Sequence, residues 1–431
     1  MPNPPELLSP AGSPEKLRFA FRYGADAVYL AGRGFNMRAA AENFSPEEIA
    51  EAVRTARFFG GRVYLALNTF PTDADMAALP DFLDAVAPAG VDAVICADLG
   101  MLSLVKKRLP SCAVHVSTQA NVMNAAAARA WHELGAKRII LAREPTLEQI
   151  KYIRENTPPE LEIECFVHGA MCVSYSGRCG LSAYFSENRH DANRGECKQP
   201  CRWNYQIYEE KRLGVPSLSA SSEDDGEGAH AALFSSRDMC MLAHIGELIS
   251  AGINAFKIEG RMKSAYYAAV TANAYRSEID RYMRGPAGFV PDPAWMRELE
   301  SVSRREYCTG FYFGSPHESD SPDGRSPSES AQICRDSRYA GEKSFLAAAL
   351  YTESETGMAV FAQRNKVYAG QTAEIITPGK TGTIFTVPRM FDMEGKEIDS
   401  CPHPGMRFKM RLPFDVKQDD ILRGAARGMR D

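Results

Sequence analysis

No apolar run in the 431-residue chain approaches the roughly 20 residues that a membrane-crossing helix needs. Basic residues are not in excess either. Lys and Arg number 50 against 55 Asp and Glu, for a net charge of −5, so any nucleic-acid partner must be met by a local patch. Residues 1–9 carry prolines and a glutamate and lack the basic-then-apolar order of a signal peptide. The expected location is therefore the cytoplasm, where thiols stay reduced and 11 cysteines do not form a disulfide framework. Common catalytic signatures are missing. His132-Glu133 is followed by Leu-Gly-Ala and so makes no zinc-protease helix, and there is no Gly-x-Ser-x-Gly elbow and no phosphate-cradling loop. Gly32-Arg33-Gly34 is only a fragment of a dinucleotide loop.

What is present is a repeated theme. Eight short apolar runs, at 6–11, 27–31, 62–68, 93–98, 113–119, 138–143, 162–168 and 255–259, alternate with helical stretches. Gly24, Gly90, Gly135 and Gly252 punctuate the helix ends, as a left-handed cap requires. This alternation predicts an α/β fold, either a (β/α)8 barrel of the TIM type or a doubly wound open sheet. The barrel is preferred because polar residues trail nearly every run. They are Asn36, Arg38, Asn68, Asp98, Gln119, Asn121, Arg143, Glu144, His168, Glu259 and Arg261, and a barrel gathers such loop residues on one face. Asn and Asp also favour turns on their own account, but Arg and Glu have no such preference.

The barrel with its appended helices is expected over 1–312, with a cysteine-bearing insertion at 169–254 before the last strand. The insertion contains an acidic polar tract at 219–228. A Ser/Pro-rich linker is expected over 313–331, and a small all-β barrel domain over 332–431, with strands near 345–350, 357–362, 372–376, 382–386 and 407–412.

Four cysteines concentrate in the insertion. Six residues separate Cys172 from Cys179, three separate Cys197 from Cys201, and 17 lie between the pairs. Four thiolates so spaced can hold a metal ion or an iron–sulfur cluster. The loose first pair and the nearby glycines suit the cluster better than structural zinc, which favours tighter pairs. Cys240 could stand in for Cys197. Cys96, Cys112 and Cys165 sit in apolar contexts and are expected to be buried thiols. A His168–Cys172 nucleophilic pair is disfavoured by the crowd of other cysteines.

Glu164-Cys-Phe-Val-His-Gly-Ala-Met-Cys172, followed by Ser176-Gly-Arg-Cys179-Gly-Leu-Ser182, resembles the signature of the bacterial collagenase-like peptidases of unassigned catalytic type. Residues 6–12, 24–29, 117–121 and 257–263 agree with that resemblance along the whole chain. It is nearest to the tRNA hydroxylation branch, to which the Cys197-Lys-Gln-Pro-Cys201-Arg-Trp203 segment is similar. The resemblance implies 5-hydroxylation of the wobble uridine of tRNA, dependent on a cluster of the 4Fe-4S type and on prephenate. Other branches imply ribosomal RNA cytidine hydroxylation or oxygen-independent quinone hydroxylation, and the old label implies a peptidase. Cys172, Cys179, Cys197 and Cys201 would ligate the cluster. Prephenate carries two carboxylates, for which Arg38, Arg143, Arg261 and Lys257 are candidates, some of them in ion pairs with Glu144 and Glu259. Asn68, Gln119, Asn121 and Trp203 are further substrate-binding candidates, with Tyr184 and Tyr205 able to stack on a base. His168 is the expected proton-transfer residue, beside Glu144, Lys257 and Glu259 as catalytic candidates. Lys198, Arg202, Lys211 and Arg212 could meet phosphate, and Lys366, Lys380 and Lys409 could hold RNA on the β domain.

Overall fold

In the computed structural model, the structure describes residues 3–37, 42–185, 191–203, 205, 234–314, 341 and 343–425. Arg38, Lys211, Arg212, the acidic tract and the linker lie outside these residues. Short, largely apolar runs set the strands, buried on both faces in the barrel and with β-branched residues among them. They are β1 (Glu6–Pro10), β2 (Ala27–Leu30), β3 (Arg62–Leu67), β4 (Ala93–Cys96), β5 (Ala113–Val116), β6 (Arg138–Ile140), β7 (Glu162–Ala170), β8 (Asp238–Cys240), β9 (Ala255–Ile258) and β10 (Tyr307–Cys308). β1 through β7 pair in order and in parallel, and β9 pairs with both β7 and β1, which closes an eight-stranded parallel barrel. The expected TIM-type barrel is therefore what forms.

Helices α1 (Pro14–Arg22), α2 (Pro46–Phe58), α3 (Asp73–Val86), α4 (Leu99–Arg108), α5 (Ala125–Glu133) and α6 (Leu147–Glu155) connect the first seven strands. Ser45, Thr72 and Thr146 cap α2, α3 and α6 with reciprocal side-chain bonds to the third helical residue. Gly90 and Gly252, at φ +67° and +78°, end their helical segments as the sequence predicts. One face of each strand packs outward on these helices: Val63, Leu65 and Leu67 of β3 join Leu79, Leu83 and Val105 in one cluster. The other face, with Tyr64 and Ala66, points into the barrel.

The short strand β8 was not expected. It runs antiparallel to β7 and pairs His168 with Cys240. Helix α7 (Leu181–Phe185) lies between β7 and β8, and α8 (Ile245–Ser250), α9 (Ala265–Arg284) and α10 (Pro293–Glu300) come after β8.

The C-terminal domain is an eight-stranded, essentially antiparallel sheet that curves into a half-barrel. All five predicted strands are present, and Ile421–Ala425, not predicted, pairs with both Lys343–Thr352 and Thr372–Ile376. That strand carries Arg423, 1% exposed, which docks the domain onto the barrel. Its guanidinium reaches Glu298 at 2.5 and 2.8 Å, Glu374 at 2.6 and 2.9 Å, the Tyr266 hydroxyl at 3.0 Å and Ser301 Oγ at 2.9 Å. Among the described residues, no helix is long and apolar enough to cross a membrane.

Candidate active site

The strands' C-terminal ends open into a cavity of about 240 Å³. Pockets for drug-sized ligands run to roughly 300–1,000 Å³, so this one suits a small molecule or a single base.

Its outer wall is the cysteine segment, folded back over the barrel mouth. Arg194 fixes that segment to α3 through Asp75, at 2.5 and 3.1 Å, and to the Phe70 carbonyl at 3.1 Å. Arg202 ties it to the Met171 carbonyl at 2.8 Å and to Ser235 and Ser236. Glu144 accepts from both the N–H and the hydroxyl of Ser176, whose backbone sits at a strained φ of 43°. These are structural tasks. Glu144 does not line the cavity, and Arg202, expected to meet phosphate, is committed to the fold.

Cys172, Cys179, Cys197 and Cys201 all line the cavity. The first two and Cys201 are half-buried, and Cys197 is exposed. The Leu181 N–H donates to Cys179 Sγ at 3.3 Å. Burial pushes the Cys201 thiol up, the three other cysteines push the same way, and Arg202 opposes them. Cys240 is elsewhere. It is buried on β8, with its sulfur 3.8 Å from Met296 Sδ and 3.9 Å from the Tyr275 hydroxyl. Of the two alternatives, then, Cys197 and not Cys240 shares the cavity.

The inner wall is polar and cationic. Asn68, Gln119, Arg143, Lys257, Glu259 and Arg261 all line it. Arg261 is held by Asn36 Oδ1 at 2.6 Å. Lys257 Nζ lies 2.8 Å from Glu164 Oε1, not beside the expected Glu144 or Glu259. Arg143 lies with its guanidinium 4.3 Å from the Phe166 ring centre, and no carboxylate pairs with it among the described residues. Gln119 is 5% exposed, and its Oε1 has no hydrogen-bond partner among them.

Below Lys257 the barrel interior holds a ladder of charges that sequence reading missed. Arg138 reaches Glu6 at 2.6 Å and Glu164 at 3.0 Å, and Tyr64 donates to Glu6 at 2.7 Å. The signal was available, because Glu6, Arg138 and Glu164 interrupt otherwise apolar strands. A charge inside a closed barrel needs a partner there. His115 packs edge-on against Tyr64, and burial holds its pKa well below the ordinary value.

Besides Glu144, three expected site residues are not in the cavity wall. His168 is 1% exposed and packed among Tyr267, Tyr275 and Tyr307 behind β7. Burial drives its pKa down to about 3, so the ring is neutral. The proton transfer expected of it needs a cavity contact that this packing does not provide. Asn121 binds the Tyr175 carbonyl at 3.1 Å and does not line the cavity. Trp203, 44% exposed, lies outside it together with Tyr184 at 86% and Phe185 at 51%. Tyr205 is packed between Phe185 and Phe234 and donates to the Pro200 carbonyl. In the C-terminal domain, Lys409 is paired with Glu353 at 3.2 Å, and none of its residues lines the cavity.

Comparison with known proteins places this architecture. Residues 12–322 match the model of peptidase family U32, and residues 342–423 match that of the family's C-terminal domain. The chain is 35% identical to tRNA hydroxylation protein P1 of Bacillus subtilis, over 97% of this chain and 94% of that protein. It is 33% identical to tRNA hydroxylation protein P of Escherichia coli, over 97% and 96%. A 23S rRNA 5-hydroxycytidine synthase of Escherichia coli is 37% identical over 64% of this chain and 39% of that protein. By both of its domains, the chain belongs to peptidase family U32.

Proposed function

We propose that this protein hydroxylates C5 of the wobble uridine in tRNA, with an iron–sulfur cluster held by Cys172, Cys179, Cys197 and Cys201 and with prephenate as hydroxyl donor. The observation that carries the reading is the junction in one cavity of four thiols and an arginine with no carboxylate partner among the described residues, in a chain similar over nearly its full length to tRNA hydroxylation proteins. No three His, Cys, Asp or Glu side chains converge on a single-ion site among the described residues. Four cysteine thiols lining one cavity are the donor set that a cubane cluster takes. Such a cluster supplies one-electron or Lewis-acid chemistry at the cavity wall.

The chain's own residues bind and orient. Arg143, Arg261 and Lys257 offer cations to a dicarboxylate. Gln119 Oε1 is a free acceptor for the N3–H of a uracil turned out of its stack. Glu259 is the one carboxylate in the cavity wall among the described residues, and it is the group placed to accept the proton that leaves C5. The exposed rings of Tyr175, Tyr184, Phe185 and Trp203 lie on the cysteine segment and suit stacking on unpaired neighbouring bases. Among the described residues no histidine lines the cavity, which gives a Cys–His peptidase no base there.

The test is mass spectrometry of nucleosides from a deletion strain carrying the wild-type gene or Cys172→Ser. The expected result is 5-hydroxyuridine derivatives restored by wild type alone. Intact tRNA with missing 5-hydroxycytidine in ribosomal RNA would move the protein to the ribosomal substrate, and no change in either RNA would refute the reading.

A further inference from the structure

The floor of the cavity holds an amine in surroundings suited to covalent chemistry. Lys257 is 4% exposed and is the one lysine in the cavity wall among the described residues. Its Nζ stands 2.8 Å from Glu164 Oε1, 4.6 Å from the Tyr29 ring centre and 5.4 Å from that of Phe166. The other oxygen of Glu164 is taken by Arg138, which lies deeper and does not reach the cavity. A purely structural ion pair has no reason to keep one member in the wall of a ligand cavity, yet Lys257 is there. Arg143 packs on the same Phe166 ring, so one aromatic ring carries both the amine and a guanidinium that has no carboxylate partner among the described residues. Burial eases release of the Lys257 proton, and Glu164 is within reach to take it.

We infer that Lys257 condenses with the ketone of a 2-oxo acid whose carboxylate is held by Arg143. This deepens the proposed function, since it rests on the reading that the cavity takes a small anionic donor. In the step, Glu164 takes a proton from the ammonium and Nζ attacks the carbonyl carbon. The carbonyl oxygen then leaves as water, carrying two of the ammonium's protons. The net change is ammonium plus ketone to protonated imine plus water. Glu164 hands the proton it took to the leaving oxygen, so nitrogen is positive and Glu164 negative both before and after the step, and no carboxylate ends unpaired in the barrel. Lysine, unlike arginine, can lose its proton and act as the nucleophile.

The experiment incubates the purified full-length chain with pyruvate or phenylpyruvate and sodium cyanoborohydride, then maps adducts by peptide mass spectrometry. The expected result is one reduced adduct, on the peptide carrying Lys257, in clear excess over every surface lysine. Arg143→Ala should lower its yield at limiting oxo acid by about 10-fold or more. Lys257→Arg, which keeps the charge beside Glu164, should abolish the adduct. Adducts spread over surface lysines, or none at Lys257 with either acid, would overturn the inference, and this wild-type result decides even if the variant does not fold. Trapping needs no RNA. A missing adduct with normal tRNA hydroxylation refutes the imine alone, and an adduct with unhydroxylated tRNA refutes the function alone.

Discussion

Two arginines, one at the domain seam and one at the barrel mouth, receive opposite treatment. Arg423 is enclosed and meets two carboxylates and two hydroxyls, so every direction of its guanidinium is answered by protein. Arg143 is half-buried, lies on an aromatic ring, and meets no carboxylate among the described residues. The chain can bury an arginine with a full set of acceptors and does so twice, since Arg138 is also answered by Glu6, Glu162 and Glu164. Leaving Arg143 unanswered at the mouth therefore marks a position where the answering anion comes from outside. Of these arginines, Arg138 and Arg423 hold the fold together, and Arg143, with no carboxylate partner among the described residues, faces the cavity.

The comparison can be broken most forcefully at the seam. Arg423→Ala strands Glu298, while Glu374 keeps Lys343 at 2.6 Å, and should cost about 3–5 kcal/mol, read by denaturant unfolding, with the C-terminal domain released to proteolysis first. A loss below about 1 kcal/mol would mean that the seam behaves like a surface pair. At the mouth, Arg143→Ala should weaken binding of a small dicarboxylate by about 10- to 100-fold in calorimetry, the worth of hydrogen bonds to a charged group. Its unfolding midpoint should hardly move.

His168 sharpens the rule by its exception. Its Nε2 is also unpartnered, but it faces packed aromatics and no ligand. Its pKa near 3 in the folded protein lies below the unfolded value, so its stabilising contribution is complete above pH 6.5 and drains away as pH falls toward 3. Between pH 7 and 5 that amounts to about 2 kcal/mol. His168→Phe should flatten this acid limb, leaving the part due to His115, whose pKa is depressed in the same direction. An unchanged limb would show that the ring is hydrated and not enclosed.

Much of the architecture was legible because barrel strands carry their signal locally. Each of the eight predicted runs coincides with a strand, and polar residues at their ends do gather at one mouth. Asn68, Gln119, Arg143, Lys257, Glu259 and Arg261 were found in this way, as were the four cysteines. What failed depended on partners distant in sequence. His168 looked catalytic because it ends β7, but α9 and β10, about 100 residues later, wall it off. Glu144 looked chemical but is bound to Ser176 in a loop whose path no local pattern reveals. The pairing of Lys257 with Glu164 was not foreseen, because inward-facing Glu164 lies on another strand, 93 residues away. Strand β8, only three residues long, has too little sequence to announce itself, and with it went the placement of Cys240.

The central claim, that the mouth is the working site and its unpaired arginine a ligand anchor, is tested most directly by one measurement. It is the 5-hydroxyuridine content of tRNA from a deletion strain expressing Arg143→Ala at the wild-type protein level. The account predicts a soluble, normally stable protein and tRNA in which the modification is largely lost. Fully hydroxylated tRNA in that strain would contradict it.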